Sequence, residues 1–286
     1  MKRLQDKTVL ITGATGGLGS HLTLALCHEG AQLILSGRSD ERLKNLADAL
    51  GGRPGQKCLT VAADLRKIEA PLQILKETRN VFERVDVLIN NAGIQGPIGP
   101  CWENDGEAWQ ETLSINLLAP VALCRLFIPW MAEQGGGSII NLSGGGATGP
   151  RPRFTAYATA KAALVRFSET LAAETKPLGI DVNCVAPGAM ATHLLAEVAA
   201  IGPERAGQQE YDQARKVLQS SEDLTRRAVA LCVFLASSAS SGITGKLISA
   251  VWDSWEALPD HLDDLQKTDI FTLRRIVPQD RGRGWE

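Results

Sequence analysis

The chain has 286 residues, of which 44% are hydrophobic and 22% are charged, a composition typical of a globular protein with one large α/β domain. Its net charge of −2 gives no indication of a nucleic-acid surface or of a strongly anionic partner. The six cysteines are scattered, without a Cys-x-x-Cys pair or a His/Cys cluster, so we expect reduced thiols and no metal site.

The sequence contains no evident signal segment or membrane span. Residues 1–7 are mostly polar and lead directly into an apolar run, and no stretch approaches the roughly 18 apolar residues that a membrane span requires. We therefore expect a cytoplasmic protein with neither a membrane nor a nucleic-acid partner.

Seven short apolar runs alternate with segments of helical length. Rich in Val, Ile and Leu, they lie at 8–12, 31–36, 57–62, 85–89, 137–142, 180–185 and 246–250. Nearly continuous hydrophobicity predicts strands buried on both faces of a parallel sheet, with crossover helices between them. The predicted fold class is therefore α/β, a Rossmann-type doubly wound parallel sheet in a single-domain, three-layer α/β/α sandwich.

The first predicted strand leads into a glycine-rich loop before the helical run Ser20–Glu29. The loop reads Thr12-Gly13-Ala14-Thr15-Gly16-Gly17-Leu18-Gly19. Glycines at a strand-to-helix turn let the backbone approach a pyrophosphate, which the helix N-terminus can bind. A flexible turn is the alternative, which the flanking strand and helix disfavour.

The end of the second strand indicates which dinucleotide binds. Ser36 and Arg38 stand where an acidic residue would bind the ribose hydroxyls of NAD. An arginine can instead pair with the 2′-phosphate of NADP. The sequence favours NADP, with NAD possible. Arg38 as a solvated residue at a helix start is the alternative.

Tyr157 and Lys161 lie four residues apart in the run Tyr157-Ala158-Thr159-Ala160-Lys161. On a helix this spacing puts both side chains on one face, where the ammonium can stabilise a developing phenolate. The pair is then a proton-transfer device. By itself, the spacing is more typical of an ordinary surface pair, and the other motifs of the sequence reverse that preference.

Taken together, the motifs resemble those of the short-chain dehydrogenase/reductase family over about residues 5–250. The resemblance rests on Thr12-Gly13-x-x-x-Gly17-x-Gly19, Asp64-Leu65, Asn90-Asn91-Ala92-Gly93, Asn116, Tyr157-x-x-x-Lys161, and Pro187-Gly188 with Thr192. The predicted cofactor-binding residues are Thr12, Gly13, Thr15, Gly17, Leu18, Gly19, Ser36, Arg38, Asp64, Leu65, Asn91, Ala92, Gly93, Tyr157, Lys161, Pro187, Gly188 and Thr192.

The resemblance implies how the cofactor is bound. Asp64 would bind the adenine amino group, and Leu65 would line the adenine pocket. Asn91, Ala92 and Gly93 would support the sheet and pass the cofactor ribose. The segment with Pro187, Gly188 and Thr192 would hold the nicotinamide amide. From the residues alone, a cap of the next helix is an equal alternative for Asp64.

The resemblance also implies the catalytic roles. Tyr157 would be the acid/base, while Lys161 would bind the nicotinamide ribose and lower the tyrosine pKa. Asn116 would hold a water in the proton relay. It lies in a polar break of the helical run Trp109–Met131, and an amide that satisfies backbone groups there is the alternative.

One residue of the family pattern is displaced. The usual serine, thirteen residues before the tyrosine, corresponds to position 144, which is glycine, and Ser143 lies one residue earlier. Along a strand this offset turns Ser143 to the opposite face. Glycines 144–146 can bend the chain enough to bring it back. Both outcomes stay open, so Ser143 is an uncertain catalytic candidate. If it cannot reach, Tyr157, a glycine N–H or a water must polarise the carbonyl.

Residues 1–251 form the predicted dinucleotide-binding catalytic domain. Within it, the polar stretch 189–222 is a candidate substrate lid. The aromatic extension 252–286 is expected to pack on the same domain or on a neighbouring subunit. Arg125, Arg151 and Arg153 are candidates to receive an anionic or sugar-like group, with surface solvation as the alternative.

The predicted function is that of an NADP(H)-dependent oxidoreductase that interconverts a secondary alcohol and a ketone. Like its relatives, it would be a homodimer or homotetramer acting on a small molecule. Two alternatives stand beside this prediction. One is an epimerase or dehydratase of the same fold that uses transient oxidation, and the other is a non-catalytic sensor that binds NADP.

Overall fold

The computed structural model describes residues 2–51, 55–220 and 225–285. Within these ranges the strands are β1 (Thr8–Thr12), β2 (Gln32–Gly37), β3 (Cys58–Ala62), β4 (Val87–Asn90), β5 (Gly137–Leu142), β6 (Ile180–Ala186) and β7 (Leu247–Ser249). They form one parallel sheet in the order β3-β2-β1-β4-β5-β6-β7. The predicted strands and the doubly wound fold class are confirmed, with boundaries within two residues.

Helices cover both faces of the sheet. They are α1 (Gly17–His28), α2 (Asp40–Ala49), α3 (Ala70–Arg79), α4 (Gly106–Leu113), α5 (Ala119–Glu133), α6 (Thr155–Thr175), α7 (His193–Ile201), α8 (Pro203–Ala206), α9 (Gln208–Gln219), α10 (Thr225–Ala236) and α11 (Leu262–Lys267). Successive side chains of a strand point to opposite faces of the sheet, so each strand contributes to both layers. In β1, Val9 and Ile11 face α1 and α10, whereas Leu10 faces α3 and α5.

A buried polar chain fixes α6 against the sheet. Asn90 in β4 donates to the side-chain oxygen of Asn141 in β5 at 2.8 Å, and the Asn141 amide donates to Ser168 Oγ in α6 at 2.8 Å. Ser168 donates in turn to the carbonyl of Leu164 at 2.7 Å. Because an unpaired polar group in this position costs about 1–3 kcal/mol, the chain of bonds selects one register for α6.

The helical run Gly106–Glu133 is, among the described residues, long and apolar enough by composition to cross a membrane. The sequence suggested no such stretch, because Asn116 and Arg125 interrupt the run. Half of its most apolar window is buried inside the protein. Leu123 and Phe127 pack there in the core beside β4 and β5. Core packing therefore accounts for the apolar composition.

The segment of the predicted lid forms α7, α8 and α9, apart from residues 221–222, which lie outside the described residues. These helices close a small apolar cluster next to the main core. Its buried members are Ile98, Phe154, Val198, Ala206 and Ala214.

The first part of the extension, up to about residue 273, packs beside the last strand of the sheet. The N–H of Leu247 in β7 donates to the carbonyl of Phe271 at 2.8 Å, and the rings of Trp255 and Phe234 lie 5.5 Å apart. The extension thus covers an edge strand whose backbone groups would otherwise be open to pairing with another chain.

Asp86 ties the start of β1 to the start of β4. Its buried carboxylate accepts the N–H of Thr8 at 2.9 Å and pairs with Lys7 at 3.1 Å and Arg84 at 2.6 Å. Burial opposes its ionisation, but the bonds from Arg84, Thr8 and Lys7 outweigh burial and hold the Asp86 pKa below its ordinary value.

Asp86→Asn should lower the free energy of unfolding by about 2 kcal/mol at pH 7, because two cations lose their counter-charge. The Asp86 pKa is lower in the folded than in the unfolded state, so ionised Asp86 stabilises the fold at pH values above its unfolded pKa of about 4. This stabilisation is lost as the pH falls through the folded-state pKa. Urea unfolding from pH 7 down to pH 2 measures both effects. Asp40→Asn, which breaks an exposed pair with Lys44, is the control and should change little. A wild-type advantage that stays constant down to pH 2 would contradict this account.

Candidate active site

A cleft of about 1130 Å³ opens at the carboxyl ends of the strands. It lies where the strand order reverses about β1, the place where open α/β sheets bind ligands. Most of the predicted residues line it. They are Gly13, Thr15, Gly17, Leu18, Gly19, Ser36, Arg38, Asp64, Leu65, Asn91, Ala92, Gly93, Ser143, Tyr157, Lys161, Pro187, Gly188 and Thr192. Thr12 and Asn116 lie behind this wall, both buried.

The glycine loop is shaped by close backbone approaches. Gly13 has φ +63°, and a β-carbon there would lie 2.8 Å from the Cα of Ala92. A β-carbon on Gly17 would lie 2.7 Å from the Thr192 methyl, and one on Gly19 would fall on the carbonyl oxygen of Gly13. The loop therefore keeps the N-terminus of α1 open to the cleft, as a pyrophosphate requires. These residues fit a dinucleotide.

Hydrogen bonds lock the loop to the segment after β4. Thr12 Oγ1 accepts the N–H groups of Asn91 and Ala92, both at 3.1 Å. The Asn91 amide donates to the carbonyls of Thr12 at 2.9 Å and Gly13 at 3.1 Å. Thr12 and Asn91 thus position the cradle through the backbone.

Three arginines gather at the mouth of the cleft near the end of β2. Arg38 is exposed there, and Arg42 donates to the carbonyl of Thr15 at 2.9 Å. Arg66 pairs through two nitrogens with Asp64 and holds the pKa of that carboxyl below its ordinary value. Sequence reasoning missed Arg42 and Arg66. The four-residue spacing from Arg38 to Arg42 in a predicted helix start was the available signal.

Asn116 lies in a π-helical turn, Ser114–Leu118, between α4 and α5. Its side-chain oxygen accepts the Ile94 N–H at 2.9 Å, and its amide donates to the Ile94 carbonyl at 2.8 Å. The side chain therefore satisfies backbone groups in the loop that carries Gly93. A π-turn contains one residue more than an α-helical turn, and it lies at the polar break that the sequence indicated in this helical run.

Tyr157 and Lys161 occupy the first two turns of α6. The Lys161 ammonium is buried, 5.7 Å from the centre of the Tyr157 ring, and donates to the carbonyl of Leu142 at 2.7 Å. Burial lowers the Lys161 pKa to about 8. Burial raises the Tyr157 pKa, and the positive charge that opposes this rise is that of Arg151. The Lys161 ammonium lies almost as close to the Tyr157 ring centre as the central carbon of Arg151, at 5.7 against 5.6 Å, so the effect that the resemblance implies for Lys161 stays a prediction.

The glycine at 144, not Ser143, faces the tyrosine. A β-carbon added at 144 would fall on the Tyr157 hydroxyl oxygen and lie 3.0 Å from the ring carbon that bears it. Ser143 continues the sheet, since its N–H donates to the carbonyl of Val185 at 2.8 Å, and its buried hydroxyl has no partner among the described residues.

Sequence reasoning did not identify how the lid segment meets the cleft. Glu210 of α9 pairs with Arg151 through two hydrogen bonds, at 3.0 and 2.8 Å. Gln95, which follows the Asn-Asn-Ala-Gly run, is buried, and its amide nitrogen has no partner within the described part of the chain. Both residues line the cleft. The sequence could not predict the pair of Arg151 with Glu210, because the two residues lie 59 positions apart and share no local pattern.

Fold and cleft together define a dinucleotide-dependent oxidoreductase of the Rossmann type. The profile of the family described as short chain dehydrogenase matches residues 7–201. The chain belongs to the short-chain dehydrogenase/reductase family, and it is an NAD(P)-dependent oxidoreductase.

Known relatives share most of the chain. L-fucose dehydrogenase from Oryctolagus cuniculus is 32% identical over 83% of this chain and 81% of its own length. L-sorbose reductase from Gluconobacter frateurii, solved with NADPH and L-sorbose, superposes with a TM-score of 0.76 at 29% identity and covers 87% of this chain and 97% of its own. Levodione reductase superposes with a TM-score of 0.78 at 28% identity, covering 90% of this chain and 99% of its own.

Ser143→Ala should reduce kcat by less than about 10-fold, because Ser143 makes no hydrogen bond to Tyr157. A lost transition-state donor would cost roughly 100-fold or more. Steady-state kinetics on the variant measure this, with the thermal midpoint as a check that the buried site still folds. A loss of 100-fold in a folded variant would show that Ser143 reaches the substrate.

Proposed function

We propose that the protein interconverts a secondary alcohol and a ketone with NADP(H) and that Tyr157 transfers the proton. The supporting observation is the position of its phenol, which lines the cleft opposite Gly144, one helical turn before Lys161. The nicotinamide supplies or accepts the hydride when it is bound. A substrate oxygen gains negative charge as a ketone is reduced, and a phenol within hydrogen-bond reach can donate its proton to that oxygen.

Lys161 would hold the nicotinamide ribose. An ammonium has three N–H bonds, and the Leu142 carbonyl takes one, so two remain for ribose hydroxyls. Since both ends of the Asn116 amide bind Ile94, we assign Asn116 the task of positioning the loop at Gly93. A water bound at Asn116 would have to hydrogen-bond to the backbone of that residue, because both ends of its side-chain amide are already paired.

The substrate would be small and polar. The Gln95 amide nitrogen is buried at the cleft without a partner among the described residues, so a ligand that hydrogen-bonds to it would remove an energetic cost. L-fucose dehydrogenase and L-sorbose reductase are named for sugar substrates. We therefore place hydroxylated ketones first among the candidates, with α7–α9 as the lid over them.

Tyr157→Phe should abolish turnover, by at least about 100-fold, because the ring remains while the proton donor is lost. NADPH binding, followed by fluorescence, should change less than about threefold. Tyr211→Phe, which alters the other tyrosine of the chain, is the matched control and should keep full activity. Turnover retained by Tyr157→Phe would remove Tyr157 from the chemistry.

Arg38→Asp should raise KM for NADPH by about 10- to 100-fold and lower KM for NADH, since a charge-assisted bond to a phosphate contributes about 1.5–3 kcal/mol. The ratio of kcat/KM for the two cofactors measures the switch. Arg125→Asp, in an exposed arginine away from the cleft, is the control. An unchanged ratio would take Arg38 out of the phosphate site.

NADPH oxidation against a panel of ketones, ketoses and quinones, with NADH alongside, tests the reaction itself. Net oxidation with one class would support the proposal. Conversion of a substrate without net NADPH consumption would identify an epimerase or dehydratase. Tight NADPH binding with no conversion of any compound would favour the sensor.

A further inference from the structure

We infer that Arg151 is a positioning residue of the active site, which holds a positive charge against the Tyr157 phenol beside the glycines at 145 and 146. This inference rests on the proposed role of Tyr157 as the proton donor. It concerns a residue outside the tyrosine, lysine and asparagine motif, and it assigns Glu210 of α9 as the counter-charge.

The geometry places the guanidinium on the aromatic pair that opens α6. The central carbon of Arg151 lies 3.9 Å from the centre of the Phe154 ring and 5.6 Å from the centre of the Tyr157 ring. The Arg151 side chain is only 14% exposed. A cation so enclosed acts on its neighbours more strongly than a surface charge, because little water screens it.

The glycine run leaves the room that Arg151 occupies. A β-carbon at Gly146 would lie 3.1 Å from the β-carbon of Arg151 and 2.6 Å from that of Ala158, and Gly146 has φ +89°. A β-carbon at Gly145 would already touch Arg151 Cδ at 3.7 Å. Larger side chains at 144–146 would therefore compete with the guanidinium or the phenol for space.

Glu210 holds the guanidinium in this place. Its two carboxylate oxygens accept from Arg151 Nε and Nη2, a fork that fixes the plane of the guanidinium. The neighbouring Arg153 donates to the carbonyls of Glu204 and Arg205, which anchors α8 separately. The segment α8–α9 thus has two anchors in the 151–153 loop, and only one of them faces the tyrosine.

Few other charges face Tyr157. Its own helix contributes Lys161, which is bound to the Leu142 carbonyl, and α9 contributes Glu210, which is bound to Arg151. From α7, His193 and Glu197 pair with each other at 3.5 Å on the exposed side of the cleft. The segment after β4 brings Ile94 and Gln95, which carry no charge. Arg151 and Lys161 are therefore the two cations beside the Tyr157 ring, and Arg151 is the one of these two that pairs with a carboxylate of α9.

The test is a direct titration of Tyr157 in the intact chain without substrate. The chain has two tyrosines, so in a Tyr211→Phe background a labelled tyrosine ring reports Tyr157 alone by NMR. Arg151→Gln should shift the titration to higher pH, because the cation that favours phenolate is lost. Arg151→Lys should restore most of the wild-type titration. Glu210→Gln should shift it to lower pH, since a glutamine still accepts a hydrogen bond from Arg151 but no longer offsets its charge.

Arg153→Gln is the matched control, because it removes an arginine from the same loop that does not face Tyr157. It should leave the titration unchanged. An unchanged titration in folded Arg151→Gln would overturn the inference, as would equal shifts in Arg151→Gln and Arg151→Lys. If Arg151→Gln does not fold, as judged by circular dichroism, Glu210→Gln decides. A shift to higher pH, or none, would then overturn the inference.

Kinetics extend the test once a substrate is known. Arg151→Gln should lower kcat for ketone reduction at neutral pH by about 10-fold with the KM for NADPH unchanged. The pH at which alcohol oxidation is fastest should move to a higher value. Failure of the proposed function would appear as undiminished turnover in Tyr157→Phe. Failure of this inference would appear in the titration, which needs neither turnover nor cofactor.

Discussion

The position of α6 against the carboxyl end of β5 is the constraint on which the active site depends. Asn90, Asn141 and Ser168 form a buried chain of hydrogen bonds across β4, β5 and α6, and the Lys161 ammonium closes onto the carbonyl of Leu142. Any rotation or slip of α6 would leave several of these groups unpaired in the core, at about 1–3 kcal/mol for each. One register is therefore strongly preferred, and it places the Tyr157 phenol at the cleft.

Much of this arrangement could be predicted from the sequence, because the relevant signals are local. Buried parallel strands appear as continuous runs of Val, Ile and Leu, and the glycine loop follows the first run directly. Three contacts of the site could not be predicted. They are the bond from Lys161 to the Leu142 carbonyl, the bonds between Asn116 and Ile94, and the pair of Arg151 with Glu210. Each contact joins residues that only the tertiary fold brings together, so hydrophobic periodicity along the chain does not indicate it.

Glycine at position 144 changes the chemistry around the tyrosine rather than merely removing a hydroxyl. A serine there would offer the substrate oxygen a neutral donor. With glycine, that space is taken by the phenol itself, and the Arg151 guanidinium lies beside the Tyr157 ring. A neutral donor stabilises a developing charge through one directed bond. A cation acts over a longer distance and also alters the proton affinity of its neighbour, so the substitution couples substrate polarisation to the state of Tyr157.

The Arg151–Glu210 pair further links that chemistry to the segment that covers the cleft. Because the counter-charge stands on α9 while the cation stands on the loop before α6, any displacement of α9 would separate Glu210 from Arg151. The charge of Arg151 would then act on Tyr157 without the opposing charge of Glu210. More water would also surround Arg151, and water weakens the effect of an unpaired charge. The two changes oppose each other. The proton affinity of Tyr157 should therefore change with the position of α9 by less than either effect alone would cause.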